Sequence, residues 1–275
     1  MIIVHTVNFK PYLALFRIRF TNTLQYRAAA FAGLTTQLAW GFMYVLAFAA
    51  FYRANPYAFP MTFQQTVSYI WLQQAFVALF FVWFYDNSII ESVESGSIAY
   101  ELVRPMDLYS RWFYITAANR ISRALLRCAP LLAVAFILPY PYRLILTTDL
   151  AHFGLFLLSM VLSLGVVLSF AMLIYISAFH TINSLGTRII AGVAADFLSG
   201  GYIPLPFFPD SVRFFVELLP FGSMQNMPLL IFNGHIYGTA AFRGIGLQMF
   251  WFITLLVIGR FWMGRALKRV VTQGG

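Results

Sequence analysis

FGLFLLSMVLSLGVVLSFAMLIYISAF, residues 153–179, runs for 27 positions without a charged side chain. As a helix it rises about 40 Å, more than the roughly 30 Å hydrocarbon core of a bilayer. The stretch therefore predicts a membrane span, and the surrounding composition agrees. Of 275 residues, 61% are hydrophobic, 19% aromatic and only 10% charged, well outside the range of soluble domains.

Five further apolar stretches flank it. Residues 28–51 and 67–84 are free of charge and are joined by a short polar loop with Asn55, Pro56 and Pro60. Residues 115–139 carry arginines in their first half, residues 189–204 contain Asp196 and a break at Gly200 and Gly201, and residues 244–259 lie between Arg243 and Arg260. The last two are short. The expectation is an all-α polytopic membrane protein with six transmembrane helices, forming one domain over 1–275.

Basic residues set the orientation, because Lys and Arg accumulate on cytoplasmic flanks. With a cytoplasmic N-terminus, Lys10, Arg17, Arg19, Arg27, Arg104, Arg111, Arg120, Arg123, Arg127, Arg188, Arg260, Arg265, Lys268 and Arg269 lie inside, and Arg53, Arg143, Arg213 and Arg243 outside: fourteen against four. Both termini are thus expected in the cytoplasm, and the net charge of +9 reads as a topology signal without implying nucleic acid. The opening MIIVHTVNFKPY lacks a basic leader and a small-residue cleavage site, so no cleaved signal peptide is expected.

Residues 8–27 place Phe9, Leu13, Phe16, Phe20 and Leu24 on one helical face and Lys10, Arg17, Thr21 and Gln25 opposite, the pattern of an interfacial helix on the inner leaflet. Residues 205–243 are apolar for a loop yet punctuated by Pro206, Pro209, Pro220, Gly222, Pro228 and Gly234, which predicts short re-entrant helices on the outer side. Between the second and third stretches, Asp86, Glu91, Glu94, Glu101 and Asp107 supply five of the nine acidic residues. This segment, 86–111, predicts a folded cytoplasmic elbow: a helix over 89–95, a turn through Gly96, and a second short element ending at Arg104, which Pro105 biases away from helix.

Much chemistry is missing. No G-x-x-x-x-G-K-[ST] loop exists, and Lys10 and Lys268 are the only lysines, so the chain is not expected to bind ATP by that route. His5, His152, His180 and His235 lack metal-ligand spacing, no G-x-S-x-G elbow occurs, and the single cysteine, Cys128, can form no internal disulfide. Ionisable groups at depth are the remaining candidates. Asp196 lies eight residues past Arg188, about 12 Å along a regular helix. It reads either as part of a polar passage gated at Gly200-Gly201 or as a structural carboxylate hydrogen-bonded inside the bundle. Arg120, Arg123 and Arg127 share one ridge by their spacing. They read as lipid-headgroup anchors, or as contacts for the acidic stretch or for an anionic substrate headgroup.

The segment IESVESGSIAYELVRPMDLYSRWF resembles the region after the second span in permease subunits of type-2 ABC exporters, whose pattern I-x-x-G-x-I-x-x-x-L-x-R-P is met by Gly96, Ile98, Leu102, Arg104 and Pro105. LSGGYIPLPFFPDSVRFFVELLPFGSMQNMPLLIFNG, residues 198–234, is similar to the same family's Ser-Gly break, prolines, short helix, Pro-Phe and second short helix. The resemblance implies a multi-pass protein of the bacterial cytoplasmic membrane that pairs with a second permease, identical or homologous. Two copies of a separate ATPase would bind Mg-ATP beneath them, this chain holding no cofactor itself. It also implies that the elbow transmits force, through Glu91, Glu94, Gly96, Glu101, Arg104 and Pro105. Asp196, Ser199, Gly200, Gly201, Pro220 and Phe221 would then belong to the gate, and the first, second and fifth spans would line the passage. A proton-coupled secondary transporter depending on Asp196 is the rival reading, and a membrane-embedded lipid enzyme the third. The cargo stays open among lipids, drugs, peptides and lipid-linked glycans.

Overall fold

Twelve α-helices and no strand make up the described residues, 9–25, 27–146, 149–181 and 183–268, of the computed structural model, with the backbone alone described for 27–31. His5 and Arg269 lie outside this set. Helix α8, Leu150–Ser177, is the quoted stretch and sits at the centre of the packing. Its N-terminus is capped by Asp149, whose carboxylate accepts the Ala151 N–H at 3.0 Å. Small residues on α8 let helix α12, Gly238–Leu267, approach closely. A Cβ on Gly165 would sit 2.9 Å from the Phe252 ring, and Ser159 Oγ donates to Gln248 Oε1 at 2.8 Å.

Helix α2, Arg27–Ala54, corresponds to the first expected span. Among the described residues three helices are long and apolar enough to cross a membrane: residues 32–54 of α2, residues 150–180, and α12. The last corrects an expectation, since the sixth stretch is thirty residues long instead of short. Arg260, one of its two bounding arginines, did not end it because its guanidinium has partners on a neighbouring segment: it lies 5.5 Å from the Tyr109 ring and donates to Ser110 Oγ at 3.1 Å.

The second stretch departs most from a regular helix. Helix α3, Phe63–Ala75, opens with a capping box of Thr62 and Gln65 and stops at Phe76. After a single turn, α4, Val77–Phe80, the chain becomes extended at Phe81 and carries no helix until Asn87. Peptide groups released inside a bundle must find partners. The guanidinium of Arg120 supplies them, on helix α7, Leu108–Ile137. It donates to the carbonyls of Ala78 (3.1 Å), Leu79 (3.4 Å), Phe81 (2.8 Å), Val82 (3.3 Å) and Phe84 (3.1 Å). Arg120 is 1% exposed, so its reading as a lipid-headgroup anchor is corrected: it faces the protein and completes a broken helix.

Helix α1, Lys10–Gln25, packs on α7 through Tyr12, whose ring stacks on Tyr114 at 5.5 Å, and through Thr23, which donates to Asn119 Oδ1 at 3.2 Å. Phe9 and Leu13, on the expected apolar face, remain exposed. In the elbow, α5, Asn87–Glu94, ends before Gly96 (φ 75°), and α6, Ala99–Leu102, follows. The remaining helices are α9, Leu185–Leu198, α10, Asp210–Leu218, and α11, Asn226–Phe232. Helix α11 is buried against α8 and α3, whereas α10 leaves Phe214 and Phe215 exposed.

Replacing Arg120 with Gln should destabilise the protein severely, at about 1–3 kcal/mol for each carbonyl left without a donor. Arg120→Lys should recover only part, since one ammonium cannot span five acceptors. Thermal unfolding in detergent checks this, and an unchanged melting temperature for Arg120→Gln would contradict the assignment.

Candidate functional site

The non-helical stretch after α4 is one wall of a cleft of about 700 Å³. Phe81, Trp83, Phe84 and Tyr85 come from that stretch, Trp40, Tyr44 and Gln37 from α2, Ile189, Val193 and Asp196 from α9, and Arg127 from α7. The aromatic lining is a direct result of the broken helix. Residues 81–86 are not helical and turn at Val82 and Trp83, so the consecutive rings of Trp83, Phe84 and Tyr85 are not spread around a helix axis and all border the space.

Asp196, 3% exposed, accepts the Val82 N–H at 2.8 Å. Of the two readings of this residue, hydrogen bonding inside the bundle is what the geometry shows, although the residue also borders the cleft. Just beyond it, Ser199 Oγ donates to the Asp196 carbonyl at 3.1 Å, and the Gly201 N–H donates to the same oxygen at 2.8 Å. Gly200 has φ 83°, where a side chain is strained, and a Cβ on Gly201 would lie 2.4 Å from the Asp196 carbonyl oxygen. Tyr69 OH donates to the Gly200 carbonyl at 3.1 Å, and Gln73 Nε2 donates to that of Gly201. The backbone break at the end of α9 is thus satisfied from α3, while the break after α4 is partly satisfied from α9.

Four predicted gate residues, Asp196, Ser199, Gly200 and Gly201, therefore form one polar knot. Pro220 and Phe221 lie elsewhere, in the turn between α10 and α11, where Pro220 is buried and Phe221 meets Phe170 edge-on at 5.6 Å. Neither lines the cleft.

In the elbow, four of the five carboxylates have intramolecular partners. Asp86 Oδ1 caps α5 by accepting the Ser88 N–H at 3.1 Å, and its Oδ2 accepts Asn119 Nδ2 at 2.8 Å. Asp107 caps α7 through the Ser110 N–H at 2.8 Å. Glu101 pairs with Arg111 at 3.2 Å and accepts the Trp112 indole N–H at 3.0 Å. Glu94 accepts both the N–H (2.9 Å) and the hydroxyl (2.7 Å) of Ser184, directly before α9. Those bonds hold the Glu94 carboxyl below its ordinary pKa. Glu91 is exposed, as are Gly96, Arg104 and Pro105. Around them Tyr100 (76%) and Val103 (83%) present apolar surface.

ABC-2 family transporter protein is the description of the family that matches residues 36–274. The chain belongs to this family. No curated protein and no solved structure matches it. As an ABC-2 transporter component it is an integral membrane protein, of a family that works with an ATPase partner. The matched range contains the whole elbow and nearly all of the cleft.

Sequence reasoning missed the role of Arg120 and the partners Tyr69, Gln73 and Asn226, whose Oδ1 accepts the Leu205 N–H at 3.3 Å. A signal existed in the amides within an apolar stretch: Gln73 and Gln74 have no reason to sit in residues 67–84 unless backbone or cavity needs them.

Glu94→Gln should loosen the start of α9. A carboxyl whose pKa is depressed on folding contributes stability above its unfolded value, near about pH 4.3, and loses it as the pH falls through the folded value. Amide exchange at 184–190 should rise in the variant at neutral pH and in the wild type only on acidification. Equal protection of both proteins at neutral pH would refute the tie.

Proposed function

We propose that the chain is the permease subunit of an ATP-driven exporter. In this reading six spans cross the bacterial cytoplasmic membrane: α2, the α3–α4 segment, α7, α8, α9 and α12, with both termini in the cytoplasm. Helix α1 lies along the inner leaflet, and α10 and α11 form the re-entrant outer segment 205–243. A second permease, identical or homologous, completes the pathway. Two copies of a separate ATPase bind Mg-ATP below, and the chain performs no hydrolysis itself.

The observation that carries this reading is the continuity between elbow and cleft. Tyr85 lines the cleft, and the next residue, Asp86, begins the elbow helix α5. Asp86 is fixed to the core, its N–H donating to Tyr175 OH at 2.8 Å. Glu94 at the other end of α5 holds Ser184 at the start of α9. A push on the elbow therefore reaches two walls of the cleft through one short helix, without crossing a flexible linker. The exposed Tyr100, Val103 and Glu91 offer the mixed apolar and acidic surface on which an ATPase would bear. An exporter that works this way needs no titrating group in the cleft, and the engagement of Asp196 by the Val82 N–H suits a structural carboxylate better than a proton carrier.

Gentle purification of the tagged chain from its native host should recover a P-loop ATPase and ATP hydrolysis. Val103→Asp and Glu91→Lys should reduce ATPase recovery several-fold while leaving the chain's own melting nearly unchanged, because exposed substitutions cost within about half a kcal/mol. Wild-type chain that is stable, free of ATPase and active in transport would overturn the reading.

A further inference from the structure

The cleft contains more positive charge than its fold uses. Arg120 is satisfied by backbone carbonyls and lies close enough to Asp196 for the two charges to interact. Arg127 and Arg188 have no such use. Both line the cleft, and the Nε of each is buried without a hydrogen-bond partner, as is that of Arg120; unlike Arg120, neither has its terminal nitrogens on backbone carbonyls among the described residues. Among the described residues the ion pairs are Arg111–Glu101 and Arg213–Asp210, so no carboxylate lies within 4.0 Å of either guanidinium. Among the described residues Arg188 donates to Asn87 Oδ1, at 3.4 Å, and Glu94 lies near enough for the two charges to interact. Arg127 is turned toward α2, where the absence of a side chain at Gly33 makes room for it: a Cβ there would lie 2.4 Å from Arg127 Cζ. Gln37, 6% exposed and also lining the cleft, has an amide oxygen without a partner.

Half-buried cations without a salt-bridge partner are costly to hold: Arg127 has none within 4.0 Å, and Arg188 is offset only at longer range by Glu94, whose carboxyl feels its charge. Guanidinium groups match the paired oxygens of phosphate, while Trp40, Trp83 and Phe84 in the same cleft offer apolar walls for a hydrocarbon or prenyl chain.

We infer that the cleft binds an amphiphile with a phosphate-bearing anionic headgroup, held by Arg127 and Arg188 with its chain along the aromatic wall. This names the class of cargo and rests on the exporter reading for its direction of travel. It commits to a phosphate joined to a chain. Phosphate alone would meet the arginines but leave the aromatic wall unused.

The test is binding to the full-length chain in nonionic detergent, read from tryptophan fluorescence and by calorimetry. The probes are dioctanoyl phosphatidic acid, dioctanoyl phosphatidylcholine and inorganic phosphate. Phosphatidic acid should bind at least about tenfold more tightly than either comparison probe, the difference expected from one or two charge-assisted hydrogen bonds. Arg127→Gln and Arg188→Gln should each lower that preference several-fold and leave the weak binding of phosphatidylcholine unchanged. Equal binding of the two lipids by the wild-type chain overturns the anionic assignment, whatever the folding of the variants. Inorganic phosphate binding as tightly as phosphatidic acid overturns the amphiphile. Neither result bears on ATPase recovery. Conversely, selectivity without any ATPase would strike the exporter reading and support the site.

Discussion

Arg120 is the group on which the arrangement depends. A bilayer offers no water to a peptide group that leaves its helix, so an interrupted span has to be completed by other parts of the protein. After Phe76 the second apolar stretch gives up regular helix, and the Arg120 guanidinium answers with donors to five carbonyls between Ala78 and Phe84. The fork geometry matters, because its nitrogens can serve several carbonyls at different heights. With those carbonyls satisfied, the stretch is free to turn aromatic side chains toward the cleft and to lead directly into the elbow.

The concentration of carboxylates in an oily chain follows from the same place in the fold. Where α5 and α7 begin, peptide N–H groups have no intrahelical acceptor, and Asp86 and Asp107 cap them. Glu94 and Glu101 reach farther, to Ser184 and to Arg111 with Trp112. The elbow is thereby pinned at both ends of α5 and at the start of α7. Glu91, exposed, is the one of the five whose carboxylate has no intramolecular hydrogen bond or ion pair among the described residues.

Much of this organisation was legible in the sequence, because its signals are local. Charge-free length identified α2 and α8, Gly96 marked the end of α5, and the prolines of 205–243 separated α10 from α11. The break after Ala75 was not legible. AFVALFFVWFY contains no Gly or Pro, and nothing in it distinguishes a continuous span from an extended strand of rings. The deciding residue is 36 to 42 positions away in sequence, on another helix. Helical spacing placed Arg120, Arg123 and Arg127 on a common ridge, yet it carries no information about whether that ridge meets lipid or protein. The cleft shares this property, since its walls come from five helices and the non-helical stretch after α4, brought together only by tertiary packing.

The two irregular elements satisfy one another, and this constrains how the cleft can open. Val82, after the first break, donates to Asp196 on α9, while Tyr69 and Gln73 on α3 donate to the carbonyls of Gly200 and Gly201 after α9. Pulling α3 and the stretch after α4 away from α9 would break all three bonds, and buried donors and acceptors parted without new partners are costly. Helix α2 is joined to the α3 region at the end far from the elbow, where Tyr52 OH contacts the Met61 carbonyl and Thr66. Toward the elbow it faces the others across the cleft, with Trp40 and Tyr44 on its wall. Apolar faces can slide at lower cost than buried hydrogen bonds can part. The hydrogen bonds thus tie α3, the stretch after α4 and α9 into one packed unit, whereas α2 meets that unit mainly through rings, as where Phe42 meets Trp71 edge-on at 5.2 Å.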